Sequence, residues 1–536
     1  MQCSGFSRIL AATDSAPVAW LFVEEHHPMS VTHTGSLPQV PAPQSDGVAG
    51  TGSIPTVDLD PKRVRTLLGV LIVSAFVVIL NETVLSVALP DLMEDLQIPA
   101  TTAQWLTAGF MLTMAVVIPT TGFLLERLPH RVVFMNALSL FTAGTALAAA
   151  ASSFPLLMAG RVVQASGTAL LLPLLMTTVL TVVPAERRGS VMGLISVVIS
   201  VAPAIGPTIS GIILGALSWR WLFLIMLPIA VLALVVGALL MPSMGTPRKV
   251  KLDLVSVVLS VLGFGGLLMG LSGFGSHGGE TADSGGGIPP VPALIVGVIA
   301  LAVFVWRQLR LQREDRALLD LRPFTQRTFT ISLGLMIVSF STLFGVVILL
   351  PLYMQNVLGH STLTTGLTML PGGLIMGFLA PFVGRLYDRH GAKVLVIPGT
   401  IVLSLAMWTF STVGENTPLW LIVAAHVVMS SGLALLITPL MTSALGSLPQ
   451  SLYSHGSALL NTLQQVSGAA GSALFITLMS LGAASAASGG ATATAAQAQG
   501  IHIAFLVAAG ISVVAIVVSF LVPKRAEGSS ARRPVH

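Results

Sequence analysis

Residues 156–172 have the sequence LLMAGRVVQASGTALLL, an apolar stretch that contains one arginine, Arg161, and one glutamine. Residues 421–437, LIVAAHVVMSSGLALLI, match it in length and pattern. Aligned, the two stretches place Arg161 opposite His426 and Gly167 opposite Gly432. The match indicates that the chain contains an internal repeat, with one titratable or charged group inside an apolar helix of each copy.

Two charged segments repeat in the same order, two spans earlier in each half. Residues 122–131 are GFLLERLPHR and residues 384–393 are GRLYDRHGAK, so both contain Gly-x-Leu-x-acid-Arg and end on a base. Together the two matches predict two halves of six helices each. Parallel six-helix repeats are a transporter architecture, with substrate bound near the membrane midplane between them.

The composition supports a polytopic helical membrane protein. The chain of 536 residues is 54% hydrophobic and 9% charged, whereas soluble domains carry about 25% charged residues. We read fourteen apolar runs long enough to cross a bilayer. They are residues 66–90, 103–124, 132–151, 155–181, 190–216, 220–241, 253–273, 290–306, 329–352, 363–384, 394–413, 418–445, 456–483 and 501–522.

The loop charges predict the orientation, because Lys and Arg are retained on the cytoplasmic side. Placing the N-terminus inside puts 23 of the 26 basic residues in cytoplasmic segments. Those segments are residues 61–65, 127–131, 187–188, 248–251, 307–327, 385–393 and 524–533. We therefore expect both termini in the cytoplasm and the protein in the cell (inner) membrane, and we expect residues 307–327 to lie on the inner membrane surface.

Twelve of the fourteen spans belong to the two repeated halves, so the remaining two, 253–273 and 290–306, form a pair inserted between them. The chain is therefore predicted to have six segments. These are a disordered tail (1–60, starting at Met1 or Met29), a first bundle (61–245), the inserted pair (246–306), a basic linker (307–328), a second bundle (329–523) and a tail (524–536). The single cysteine, Cys3, excludes an internal disulfide and a multi-thiolate metal site. We expect no metal, no cofactor and, because the basic residues are scattered, no nucleic-acid partner.

From Thr66 to Val522 the sequence resembles the major facilitator superfamily, specifically its fourteen-helix drug:proton antiporters. The loop motif of that family is complete at Gly384–Lys393 and departs at Glu126 and Pro129 in the first half. Its helix 4 motif is similar to Arg161-Val-Val-Gln164-Ala-Ser-Gly167. Its helix 5 antiporter motif resembles Gly206-Pro207-Thr-Ile-Ser-Gly211, which follows Pro203. The resemblance implies efflux of small drug-like molecules in exchange for protons.

The first-helix signature of the family resembles Leu80-Asn-Glu-Thr-Val-Leu-Ser-Val-Ala-Leu-Pro90. Asn81 stands where the family has Asp, and Glu82 follows it, as in the variant of lincomycin-type exporters. Burial disfavours a carboxylate and a nearby cation favours it, so Glu82 near Arg161 is our proton site. Solvation or a fixed structural pair is the alternative for Glu82, and simple bracing of helix 4 is the alternative for Arg161.

Three further groups of residues complete the predicted sites, each with a plainer alternative. His426 is a candidate coupling residue or a packing residue, and helix 5 (Pro203, Gly206, Pro207 and Gly211) is a proton seal or ordinary close packing. The repeated loops are gates or solvated loops whose bases obey the positive-inside rule; their residues are Gly122, Glu126, Arg127, Arg131, Gly384, Asp388, Arg389 and Lys393. The drug-pocket candidates, which could equally be core or lipid-facing, are Asn81, Met111, Gln164, Phe340 and Phe344.

The leading function is proton-driven efflux of hydrophobic or amphipathic drugs by alternating access. An uptake symporter of the same fold and a non-transporting receptor or scaffold are the alternatives. No phosphate-binding Gly-x-x-x-x-Gly-Lys-Ser/Thr loop occurs, which argues against ATP drive within this chain. We expect no catalytic residues and no enzyme activity, and we expect a monomer whose partners are the drug, protons and membrane lipid.

Overall fold

A computed structural model describes residues 61–103, 105–241, 253–276, 289–314 and 316–523. All regular elements in these residues are helices, as the sequence predicts. The predicted tails, the choice between Met1 and Met29, and the basic cluster at 248–251 lie outside the described residues.

The helices before the linker follow the predicted order. They are α1 (Pro61–Val84), α2 (Leu89–Leu96), α3 (Ala100–Ala103), α4 (Trp105–Arg127), α5 (His130–Ala149), α6 (Phe154–Val182), α7 (Arg188–Ala216), α8 (Arg220–Leu240), α9 (Leu254–Ser276) and α10 (Pro290–Leu311). Those after it are α11 (Arg327–Leu352), α12 (Thr362–His390), α13 (Lys393–Phe410), α14 (Leu419–Gly446), α15 (Tyr453–Ser488) and α16 (Ala493–Ser519).

Each predicted span overlaps one long helix. Among the described residues, thirteen helices are long and apolar enough to cross a membrane. The remaining long helix, α7, occupies the place of the fifth predicted span. The all-helical membrane fold is therefore confirmed.

The first helix ends earlier than predicted. Instead of running to residue 90, α1 ends at Val84 and the chain continues as a 3-10 turn, Leu85–Ala88, before α2. Proline lacks the backbone N–H and its ring collides with the preceding turn, so a helix cannot run through Pro90 undisturbed. Pro90 instead lies in the first turn of α2, where proline is tolerated. Glu82 consequently lies in the last turn of α1.

The repeat predicted from residues 156–172 and 421–437 is visible in the packing. A side chain at Gly167 would collide with the backbone of α5, and one at Gly432 would collide with the backbone of α13. These equivalent glycines thus bring α6 onto α5 and α14 onto α13. The first bundle comprises α1 and α4–α8, and the second comprises α11–α16.

The two bundles meet through equivalent helix pairs. In one pair α4 of the first bundle packs against α15 of the second, and in the other α12 packs against α7. The inserted helices α9 and α10 pack against each other, and α9 also contacts both α4 and α15. The inserted pair therefore covers one seam between the bundles.

Residues 307–327, which we predicted to lie on the inner membrane surface, form the end of α10 and a short segment that packs partly into the protein. Helix α10 continues through Arg307 to Leu311. Leu318 and Leu319 are each 1% exposed and Asp320 is 3% exposed. Burial of the two leucines pulls this stretch into the protein, and the six arginines that suggested a surface location lie on either side of it.

Candidate functional site

Arg161 of α6 is completely buried and lies in a polar network that joins α1, α4 and α6. Its Nη1 donates to Oε1 of Gln164 at 2.8 Å and to Oδ1 of Asn81 at 3.2 Å. Its Nε donates to the carbonyl oxygen of Leu106 at 3.4 Å. The guanidinium carbon lies 4.0 Å from the ring centroid of Phe110, a cation–π contact.

One part of this buried cation is left unsatisfied. Among the described residues, Nη2 of Arg161 has no hydrogen-bond partner. A buried donor of a charged group without a partner costs free energy, so this nitrogen has the capacity to donate to a further anionic or polar group.

Glu82 of α1 lies within electrostatic range of Arg161. No N–O distance of 4.0 Å or less joins the two side chains, and Glu82 has no hydrogen bond to the other described residues. Asn81, at the position where the family signature has Asp, accepts the hydrogen bond from Arg161 instead. The carboxyl of Glu82 is therefore near the cation and is not committed to it.

Both the oxygen and the nitrogen of the Gln164 side-chain amide form hydrogen bonds. Its oxygen accepts from Arg161, and its nitrogen donates to the hydroxyl of Thr145 at 2.8 Å. Asn81 and Gln164, both predicted in the pocket, thus belong to the arginine network. Of the other pocket candidates, Phe340 is buried, Phe344 packs against Gly468 and Met111 is exposed.

His426 of α14 occupies the equivalent place in the second bundle. It is 5% exposed and its Nδ1 has no partner among the described residues. The imidazole packs so closely on α12 that a side chain at Gly372 would collide with it. The hydrogen bonds and ion pairs of the described residues do not connect His426 with Glu82 or Arg161, so the structure places these three predicted residues in two separate sites.

On helix 5 of the family pattern, α7, the four predicted residues have different surroundings. A side chain at Gly206 would collide with Thr83, the residue after Glu82, whereas a side chain at Gly211 would meet open space. Pro203 is partly buried, and the side chain of Pro207 lies outside the described part of the structure. Gly206 is therefore the position at which α7 closely approaches the end of α1.

The acidic side chains of the two repeated loops, Asp388 and Glu126, contact the opposite bundle. Asp388, near the end of α12, accepts from the backbone N–H of Gly189 at 2.7 Å and of Ser190 at 2.8 Å, and from the Ser190 hydroxyl. These N–H groups belong to the first turn of α7, which has no intrahelical acceptor for them and carries the positive end of the helix dipole. Asp388 therefore caps a helix of the opposite bundle.

Glu126 makes the equivalent contact in the first half. Its Oε1 lies 3.1 Å from Nε2 of His455, near the start of α15. The helices also approach closely here, because a side chain at Gly122 would meet the ring of His455, and one at Gly384 would collide with Gly189. We call these two contacts, Glu126–His455 and Asp388–Gly189/Ser190, the gate, after the role predicted for the repeated loops.

The repeated bases have a different role from the acids. Arg131 donates to the carbonyl oxygen of Ala238 at 2.6 Å, and Lys393 donates to that of Phe520 at 2.9 Å, each within its own bundle. Arg127 approaches the ring of Phe123 and Arg389 is exposed. In the described residues the predicted acids and bases of the loops do not pair with one another.

Further hydrogen bonds join the bundles on the same side of the membrane, which we call the arginine-rich side. Near the gate, the hydroxyls of Thr177 and Ser457 form a hydrogen bond of 2.8 Å, and Arg188 donates to the Tyr453 hydroxyl at 3.2 Å. Thr438 donates to Ser196 at 2.7 Å in the same half of the helices. All bundle-to-bundle hydrogen bonds of the described residues lie in this half, so the molecule is closed on the arginine-rich side.

The opposite side carries a clamp within the first bundle. Asp95 of α2 accepts from the indole N–H of Trp219 at 3.0 Å and from Arg220 at 2.9 Å. Arg220 also donates to the carbonyl oxygen of Ala151 at 3.0 Å. The hydrogen bond from Trp219, and then that from Arg220, hold the pKa of Asp95 below its usual value.

Sequence reasoning missed His455 and Ser190 at the gate. A signal was present in the repeat itself, because the segment from Pro184 to Ser190 has the same length as the segment from Pro449 to His455. In both segments a proline precedes a 3-10 turn and a long helix. Aligning the prolines places Ser190 opposite His455. These are the residues that contact Asp388 and Glu126, respectively.

The two repeated six-helix bundles are a transporter architecture. A sequence profile of the Major Facilitator Superfamily matches residues 71–472. This chain belongs to the Major Facilitator Superfamily. It is 41% identical over 411 residues to the lincomycin resistance protein LmrB of Listeria innocua, covering 77% of this chain and 85% of the relative.

Two further proteins extend the comparison. The multidrug resistance protein B homolog of Mycobacterium tuberculosis is 30% identical over 423 residues, covering 78% of this chain and 77% of the relative. The crystal structure of the human organic anion transporter MFSD10 superposes with a TM-score of 0.58 at 16% identity, covering 86% of this chain and all of that one. The latter supports the fold alone.

Proposed function

We propose that the protein is a proton-coupled efflux transporter that exports hydrophobic or amphipathic drugs by alternating access. The family and the names of its relatives, which include lincomycin and multidrug resistance proteins, support drug transport. The observation that carries the coupling is a membrane carboxyl, Glu82, that lies near the buried Arg161 without being paired to it. The protein has no catalytic role in this proposal.

The proposed coupling follows from two opposed effects on Glu82. Burial favours a neutral carboxyl, whereas the nearby guanidinium favours a carboxylate. A change of conformation that moves Glu82 toward water or toward the free Nη2 of Arg161 alters the balance. Glu82 then takes up a proton in the form open to the outside and releases it in the form open to the cytoplasm.

The gate supplies the alternation in this proposal. The molecule as described is the form closed at the cytoplasm, with the arginine-rich side and both termini in the cytoplasm of a bacterial-type inner membrane. Opening to the cytoplasm breaks the contacts of Glu126 and Asp388. Drug binds between the bundles, close to the arginine network, with Met111, Phe340 and Phe344 as apolar contacts. We propose a monomer surrounded by lipid, with His426 as an accessory coupling residue.

Transport by everted membrane vesicles tests direction and coupling together. Vesicles with an acidic lumen should accumulate lincomycin or ethidium, and a protonophore should abolish the accumulation. Glu82→Gln should remove it, whereas the matched control Glu94→Gln, an exposed acid of α2, should leave it intact. Accumulation only in right-side-out vesicles would favour the uptake symporter, and drug binding without accumulation by correctly folded protein would favour a receptor.

A further inference from the structure

The inserted helices lie where they can act on the gate. Helix α9 packs against α4 and α15, the two helices that carry Glu126 and His455. At Gly265 of α9 a side chain would lie 3.5 Å from Leu112 of α4, an ordinary packing distance. Helix α9 is therefore in direct contact with both sides of the seam that the gate closes.

An ion pair and a buried glutamine fix the inserted pair at its arginine-rich end. Arg307 of α10 binds Asp253, just before α9, through two hydrogen bonds of 2.7 and 2.9 Å. Ser256 donates to the same carboxylate at 2.6 Å and accepts from Nε2 of Gln308 at 2.7 Å. Gln308 is completely buried, so its amide is held rigidly.

Gln308 also holds the linker that follows α10. Its Oε1 accepts from the backbone N–H of Leu318 at 2.9 Å and of Leu319 at 3.2 Å. Asp320 follows, with its carboxylate bound to Nε of Arg322 at 2.6 Å. We call residues 316–323 the strap. Its backbone is tied to the inserted pair at one end.

The other end of the strap is tied to the gate histidine. The backbone N–H of Asp320 donates to Nδ1 of His455 at 3.3 Å, so this ring nitrogen must be unprotonated. In a neutral imidazole the proton then lies on Nε2, which faces Oε1 of Glu126 at 3.1 Å. Neutral His455 thus accepts from the strap and donates to Glu126, and both ring nitrogens are satisfied.

We propose that His455 is a positioning residue that joins the strap and the inserted helices to the gate. Its protonation breaks the hydrogen bond with the strap and strengthens the contact with Glu126. A proton on Nδ1 removes the acceptor for the Asp320 N–H and releases the strap. The same proton makes the contact with Glu126 a charge-assisted hydrogen bond. This inference rests on the proposed alternation of the gate but not on the identity of the substrate.

The charged and titratable groups of the elements around His455 are each engaged or exposed. On α4 they are Glu126, which contacts the ring, and Arg127, which approaches Phe123. On the strap, Asp320 and Arg322 bind each other, and Arg316 binds Glu314. Arg188 of α7 binds Tyr453 of α15, Arg307 of α10 binds Asp253, Arg310 of α10 lies over Trp306, and Arg327 of α11 is exposed. Glu126 is the group whose charge acts directly on the ring.

Hydrogen–deuterium exchange of the full-length protein in nanodiscs tests the switch at the strap. After correction for intrinsic rates, the peptide containing residues 316–323 should exchange about fivefold faster near pH 5.5 than near pH 8, because one hydrogen bond is lost. His455→Gln, a neutral donor and acceptor, should keep slow exchange at both pH values. His455→Lys, which has no acceptor, should exchange fast at both. Equal exchange at the two pH values in the wild type, or an unchanged pH dependence in His455→Gln, would overturn the proposal.

A distance measurement tests whether the strap acts on the gate. Replacing the single cysteine by Cys3→Ser allows spin labels at Val132 of α5 and Val394 of α13, two exposed positions on the arginine-rich side. Gln308→Met keeps the side-chain volume and removes the acceptor for the strap. The gate then loses its tie to the strap without gaining a charge-assisted contact, so the distance between the two labels should widen. The matched control, Gln450→Met at an exposed position, should not change it. An unchanged distance in Gln308→Met would refute the role of the strap.

Both measurements are made without drug and without a proton gradient. They therefore give the same result if the protein transports a different substrate class. Conversely, unchanged drug accumulation in Glu82→Gln, which would contradict the proposed function, would leave the exchange and distance results unaffected, so failure of the two proposals can be told apart.

Discussion

Replacing Asp388 by alanine should open the arginine-rich side of the transporter. The carboxylate accepts two backbone N–H groups of α7 at 2.7 and 2.8 Å, and alanine removes both. Each hydrogen bond contributes about 1 kcal/mol net, since the groups regain water when the gate opens. A loss of about 2 kcal/mol raises the ratio of open to closed molecules about 30-fold.

Cysteine labelling measures that ratio. Ala458 of α15 is completely buried and lies against Gly122 of α4, so Ala458→Cys in a Cys3→Ser background reacts with a maleimide only when the bundles part. The labelling rate should rise about 30-fold in Asp388→Ala, provided that opening and closing are faster than labelling. The control Glu415→Ala, an exposed acid, should leave the rate unchanged. A rate within a factor of about two of the parent in folded Asp388→Ala would refute the assignment of Asp388 to the gate.

Three further predictions concern stability. Hydrogen bonds from Arg307 lower the pKa of Asp253 from 3.8 to about 2; because the folded pKa is depressed, the stabilisation is complete above about pH 4 and is lost as the pH falls through about 2. Thermal unfolding should therefore show Asp253→Asn less stable than the wild type by roughly 2 kcal/mol at pH 7, and a constant difference down to pH 2 would contradict the ion pair. Gly432→Val should lower the melting temperature and the folded yield because the side chain collides with α13; a melting temperature equal to that of the wild type would contradict the close approach. Asp95→Asn should cost less than about 1 kcal/mol, because this pair is exposed, and a larger loss would mean that the clamp supports more than its own contacts.

The repeat could be predicted from sequence because it rests on local requirements. Only glycine allows the backbone approach at positions 167 and 432, so the same residue recurs at the same place in both halves. The span count followed from the apolar runs, and Glu82 was expected near Arg161 because both are charged residues inside apolar spans. A charge in an apolar helix requires a partner, which made Arg161 conspicuous.

The partners of the gate acids could not be predicted from residue type. Acids and bases are neighbours in both repeated loops, but the structure brings the first turn of α7 to Asp388, and backbone N–H groups leave no trace in a sequence. His455 was missed for a related reason. Its importance depends on the path of the strap, which is decided by burial of Leu318 and Leu319 and not by the arginines around them.

Proton release by the purified protein tests the central claim most directly. In a weakly buffered detergent solution, adding a transported drug to the wild type should release protons, because drug binding favours the form in which Glu82 is ionised. Glu82→Gln should bind the drug and release none, while Glu94→Gln should behave like the wild type. Equal proton release by Glu82→Gln and the wild type would contradict the claim that Glu82 carries the coupled proton.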